Sequence, residues 1–222
     1  MAYAYSDRRA AGRALARALE SYRGRPGLAV LALPRGGVPV AYEVARALHA
    51  PLDVFAVRKL GVPGHEELAM GAVASGGIFV LDTRLAEMLG VQPAQIDRIK
   101  QRELDELHRR ESAYRDTRPA LQLQGKTVIV IDDGLATGSS MHAAVEALRQ
   151  SAPARIIVAV PVGAAGTCER LRTLADDVLC VLSPAQFHAV GAHYVDFRQT
   201  SDEEVRELLQ AAAADLQRWT AA

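Results

Sequence analysis

The chain has 222 residues, with 26 Lys and Arg against 26 Asp and Glu, half of its residues hydrophobic and 5% aromatic. That size suits one large domain or two small ones, and it buries enough apolar surface to fold without a disulfide or metal staple. A formal net charge of zero argues against a dedicated nucleic-acid binder and against a charged, disordered tail.

The run LAVLAL at 28–33 reads as a buried strand that ends in the turn Pro34-Arg35-Gly36-Gly37. Val40, Ala41, Val44, Ala45 and Leu48 then share one helical face, and LDVFAV at 52–57 predicts a second strand. GAVASGGIFV at 71–80 predicts a hairpin around Ser75-Gly76-Gly77. From Pro93 to about Arg115 the pattern is a long helix, with six acids and six bases between 97 and 116. Its apolar line is thin (Ile96, Ile99, Leu104, Leu107), so a solvated helix laid over the sheet is expected, with a dimer contact as the alternative. TVIVI at 127–131 is the clearest strand, being β-branched throughout, and Met141, Ala144, Val145 and Leu148 form the next helical stripe. RIIVAVP at 155–161 and DVLCVL at 177–182 are two further strands, with a helix around 168–174 between them. The last helix starts near Asp202 and turns Val205, Leu208, Leu209, Ala212, Leu216 and Trp219 inward.

Strands that are apolar on both faces and alternate with helices predict an α/β fold with a mainly parallel sheet covered on both sides. In such sheets ligands sit beyond the strand C-termini, at the point where the strand order reverses. The turns at 34–37 and 132–140 are therefore where chemistry is expected. Only Lys59, Lys100 and Lys126 are lysines. Cys168 and Cys180 suit a reducing compartment. The N-terminal residues lack an apolar signal core, and the longest uncharged stretch, 178–195, is too polar to cross a bilayer, so a soluble, cytoplasmic protein is expected. The six histidines lack zinc-site spacing, although His65 and His193 could approach the site.

The most informative segment is VIVIDDGLATGSSM at 128–141. A strand ends in two carboxylates, and the small residues Ala136, Thr137, Gly138, Ser139 and Ser140 open a helix. Converging backbone N–H groups, a positive helix end and three hydroxyls suit a phosphate. Asp132 and Asp133 would repel a bare polyphosphate but accept hydrogen bonds from a vicinal diol, so a sugar phosphate satisfies both halves. Other phosphate motifs fail: Ala120 stands where a Walker A loop needs glycine, Gly125-Lys126-Thr127 precedes its strand, and no dinucleotide fingerprint or nucleophile elbow is present. A dehalogenase-type phosphatase would need an Asp where Ile131 stands.

This segment resembles the PRPP-binding motif of the type I phosphoribosyltransferases, and most closely that of stand-alone bacterial members whose acceptor is unassigned. It departs from the motif at Gly134, usually aliphatic, where a looser turn is expected, and at Ser140, often threonine. The likeness runs from about 25 to 200, outside the charged helix. It implies a single domain over 1–222: a core at about 25–182, a helical insertion at about 83–116, and a small hood at about 183–200, with the N-terminal segment as a further candidate for it. Arg35, Gly36 and Gly37 match the family's pyrophosphate loop in position. Arg58 and Lys59 begin a segment, through Glu67, that matches its flexible lid, with Gly61 and Gly64 as hinges. Phe187 and Tyr194, in a segment that also holds Phe197, are candidates for the acceptor's stacking platform.

The resemblance implies transfer of ribose 5-phosphate from PRPP to a nitrogen acceptor, a nucleobase among the candidates, with release of pyrophosphate. Residues 136–140 would hold the 5-phosphate and Asp132 and Asp133 the diol, with Arg35, Arg58 and Lys59 around the leaving group. Mg²⁺ would arrive on PRPP, close to Asp132 and Asp133, without a protein cage of its own. A homodimer is the family default. The alternatives are a PRPP- or nucleotide-sensing regulator on the same fold, and a phosphatase or ribose-phosphate binder that ignores pyrophosphate.

Overall fold

The computed structural model describes residues 4–115 and 118–220, so the insertion's expected end at Asp116 lies outside them. The elements in chain order are α1 (Arg8–Ala18), β1 (Leu28–Ala32), α2 (Gly37–Leu48), β2 (Leu52–Val54), β3 (Val57–Val62), β4 (His65–Ala74) and β5 (Ile78–Leu81). There follow α3 (Thr83–Met88), α4 (Pro93–Arg115), β6 (Thr127–Ile131), α5 (Ser139–Gln150), β7 (Arg155–Val162), α6 (Ala165–Leu171), β8 (Asp177–Leu182) and α7 (Asp202–Thr220).

Five strands form a parallel sheet in the order β2-β1-β6-β7-β8. Side chains alternate across it, as the period of a strand requires. Val30, Ile129, Ile131 and Ile157 turn to one face, under α1, α2 and α7, while Leu31, Val128, Val130 and Val158 turn to the other, under α5 and α6. The chain leaves β1 outward to β2 and returns on the other side as β6. The order therefore reverses between β1 and β6, and the turns that follow these strands face each other across the reversal point.

The second strand is shorter than the sequence predicts. It ends at Val54, and Val57 already begins an antiparallel sheet of three strands, β3-β4-β5, with the hairpin turn at Ser75-Gly76-Gly77 in its expected place. Leu60, Val62, Met70 and Val73 of this small sheet pack on Ala86 of α3 and Leu107 of α4. The charged helix thus lies over the small sheet rather than the parallel one. It is also tied to α7, through Tyr114 Oη donating to Asp202 at 2.8 Å, and to β2, through Arg115 on Asp53 at 2.9 Å. Among the described residues no helix is long and apolar enough to cross a membrane.

Candidate functional site

β6 is paired on both sides, so its end delivers Asp132 and Asp133 to the middle of the sheet's C-terminal edge. The Asp133 backbone N–H donates to Asp132 Oδ1 at 2.9 Å. Asp133 Oδ2 receives two nitrogens of Arg8, each at 2.8 Å. Arg8 comes from α1, donates to the Arg198 carbonyl at 2.7 Å, and lies 4.0 Å over the Phe197 ring. Burial holds Asp132 well above the ordinary carboxylate value, and the neighbouring Asp133 charge adds to this. Burial also raises Asp133, against the opposing pull of Arg8. Two recessed acids this close resist carrying two full charges, and donated hydroxyls would ease that.

The turn after β1 closes on the same point. A Cβ on Gly36 would collide with the Asp133 carboxylate, and one on Gly37 would fall 2.7 Å from the Ile131 carbonyl. Only glycine allows this close main-chain approach. The Pro34–Arg35 peptide is cis. The Arg35 guanidinium pairs with Asp202 at 3.5 Å and keeps about a third of its surface exposed.

Beyond Asp133, Gly134 and Leu135 are buried, while Ala136, Thr137, Ser139 and Ser140 line the open side of the turn. Gly138 takes a left-handed conformation, φ +74°, and caps α5, which leaves the first N–H groups of that helix facing the loop. Thr137 Oγ1 and Ser139 Oγ stand 3.1 Å apart. From behind, Thr167 Oγ1 donates to the Ala136 carbonyl at 2.7 Å, and Arg170 to the Thr137 carbonyl at 3.3 Å. Gly134 departs from the motif for a packing reason. A Cβ there would meet Val190 Cγ1 at 2.5 Å, because the Val190 side chain already fills the space. The turn is therefore packed, not loosened as the sequence suggested.

A cleft of about 580 Å³ separates this loop from the small sheet, lined among others by Lys59, Gly71, Asp82, Thr137, Ser139 and His142. Two expectations need correction here. Residues 58–67 are not a hinged loop, since they are mostly the paired strands β3 and β4, with Gly64 at φ +78° in the turn. Arg58 and Lys59 also do not act side by side, because neighbours on a strand face opposite ways. Lys59 is exposed to the cleft, whereas Arg58 lies against α4, paired with Glu103 at 2.6 Å.

A third correction concerns the hood. Tyr194 is only 2% exposed, and its hydroxyl donates to the Asp133 carbonyl at 2.6 Å, so its ring is core and props the acidic turn. Tyr5 and Phe197 flank it, with ring centroids 5.6 and 5.1 Å away. Phe187 is partly buried and stacks on His193 at 5.5 Å. His193 Nε2 is buried without a hydrogen-bond partner among the described residues.

Sequence reasoning missed Arg8, Glu103, Thr167 and Arg170. Each acts on the site from a helix remote in sequence, and only Asp7, which caps α1 by accepting from Ala10 N–H, marks the start of the helix that carries Arg8.

A family model described as "Phosphoribosyl transferase domain" matches residues 4–196. Two curated Mycobacterium tuberculosis proteins, from strains CDC 1551 and H37Rv and each provisionally named a phosphoribosyl transferase, are 43% identical over 211 residues, which is 95% of this chain. The chain spans about half the length of these relatives, 47%. The crystal structure of TT1426 from Thermus thermophilus is 43% identical with a TM-score of 0.84, over 93% of this chain and 98% of that one.

Proposed function

Because the chain belongs to the phosphoribosyl transferase family, we propose that it transfers ribose 5-phosphate from PRPP to a nitrogen nucleophile and releases pyrophosphate. The observation that carries this reading is the meeting of three groups at one end of the sheet. These are the recessed Asp132–Asp133 pair, the exposed loop 136–140 capped by Gly138, and the glycines of 34–37 packed against Asp133.

In this reading, loop amides and the Thr137, Ser139 and Ser140 hydroxyls hold the 5-phosphate, with α5 adding its positive end. Asp132 and Asp133 accept hydrogen bonds from the ribose diol, and Arg8 keeps Asp133 aimed. Pyrophosphate lies along the main chain of 36–37, within reach of Arg35 and Lys59, which neutralise charge as the anomeric bond lengthens. Positive charge on the sugar ring then faces two carboxyls, and the acceptor attacks from the opposite side. Positioning and preorganised charge supply the rate enhancement.

Magnesium fits this site as an ion carried by substrate. Among the described residues no three of His, Cys, Asp or Glu converge on one point. Its oxygen ligands would come mainly from pyrophosphate and ribose, beside Asp132 and Asp133, and it would supply charge neutralisation of the leaving group.

The test is pyrophosphate release from PRPP with magnesium and a panel of purine, pyrimidine and other nitrogen acceptors. Release with at least one acceptor, abolished by Asp133→Asn and Thr137→Val together, is the expected result. Tight PRPP binding with no release, joined to a nucleic-acid gel shift, would instead make the protein a sensor.

A further inference from the structure

Behind the phosphate loop, two cysteines meet. Cys168 lies on α6 and Cys180 on β8, the edge strand of the parallel sheet. Both sulfurs converge on Gly163: a Cβ built there would fall 2.9 Å from Cys168 Sγ and 3.3 Å from Cys180 Sγ. Cys180 Sγ donates to the Leu182 carbonyl at 3.2 Å. The neighbouring Cys180 thiol is the largest influence on Cys168, whose thiol is brought down to about 7, with Arg172 and Ser183 assisting against burial. Cys180 is pushed up as the partner that keeps the proton. Cys168 is buried and Cys180 partly exposed at the sheet edge.

The pair is one layer away from the loop. Gly163 bridges to Leu135, with Leu135 N–H donating to the Val162 carbonyl and Ala164 N–H to the Leu135 carbonyl, each at 2.9 Å. Thr167, next to Cys168, holds the Ala136 carbonyl, and its methyl fills the space that a Cβ on Gly138 would need.

We propose that Cys168 and Cys180 are a peroxide-responsive dithiol whose disulfide form loosens the 135–140 loop. The Cys168 thiolate attacks one oxygen of hydrogen peroxide, the O–O bond breaks, and hydroxide leaves to take up a proton as water. The Cys180 sulfur, giving up its proton, then attacks the sulfenic sulfur, the S–O bond breaks, and a second water leaves. The sum is two thiols and one peroxide to one disulfide and two waters. A disulfide brings the sulfurs to ~2.05 Å. That draws α6 toward β8 and shifts Thr167 from under the loop.

The test uses the full chain, reduced and then treated with equimolar hydrogen peroxide. Peptide mass mapping should find 168 and 180 joined, with two hydrogens lost. Hydrogen exchange of the peptide covering 132–141 should then become about tenfold faster than in the reduced protein. Cys180→Ser, at the sheet edge, should stop at a sulfenic acid on Cys168 that dimedone captures, with the reduced exchange pattern kept. Two free thiols that still alkylate after peroxide would overturn the proposal, and so would a disulfide that forms while loop exchange stays unchanged. Because the readout is the loop's own exchange, a failed transferase assay does not decide it.

Discussion

Asp132 enters the fold with its carboxyl recessed at the end of β6, beside a second carboxyl that Arg8 already engages. Its folded-state affinity for a proton exceeds the unfolded value, so in the pH window between the two the native state binds more protons than the unfolded chain. Stability from this residue is complete below the unfolded Asp value of about 3.9 and declines as pH rises through the raised one. Asp132→Asn should remove that decline. Thermal melts at about pH 7 should show the variant more stable than the wild type, by roughly 2–4 °C for each kcal/mol of relieved burial. Calorimetry should meanwhile find ribose 5-phosphate binding weakened about tenfold or more, since an amide cannot accept from the diol at both atoms. A variant that is no more stable at neutral pH would mean that the site tolerates the ionised acid. The two carboxylates at the end of a strand, followed by a small-residue loop that opens a helix, were legible from residue types alone. The cation that balances them was not, because Arg8 lies 125 positions from Asp133 and looks like any other arginine on a helix surface.

At the scale of elements, β3 separates two adjacent bases by the alternation of its faces. Lys59 faces the cleft and the 136–140 loop, whereas Arg58 fastens the small sheet to α4 through Glu103, itself 6% exposed. Lys59→Ala should lower turnover and leave the melting temperature nearly unchanged. Arg58→Met should do the reverse first, leaving the buried Glu103 carboxylate to the exposed Arg102 at a cost of about 1–3 kcal/mol. Paired melting and steady-state measurements would reveal a swapped assignment. The β-branched strands were readable because burial on both sides leaves them uniformly apolar. The segment at 58–67 was not readable, because its charges, glycines and Pro63 have the composition of a loop, while the pairing that makes most of it strand joins β3 to β4. The length of α4 was legible from its spacing. Its partner was not, since a narrow apolar line does not say which surface it meets.

Across the whole molecule, the reversal of strand order between β1 and β6 gathers loops from 34–37 and 132–140, while a second sheet walls the cleft. A ligand that joins these parts stabilises all of them together. At about one hundred times its dissociation constant, PRPP with magnesium should add about 2.7 kcal/mol, a rise of roughly 5–10 °C in melting temperature. A scan with no shift at saturating ligand would argue against a common site. Closure of the site also reaches into the C-terminal segment, where Val190 occupies the volume left free by Gly134. Such an interlock makes two distant positions a single hereditary unit. Enlarging residue 134 alone, as in Gly134→Leu, should displace the segment and abolish sugar-phosphate binding, and Val190→Gly in the same chain should restore it. Among divergent relatives, a bulky residue at one position should accompany a small one at the other, so the pair should change together or not at all.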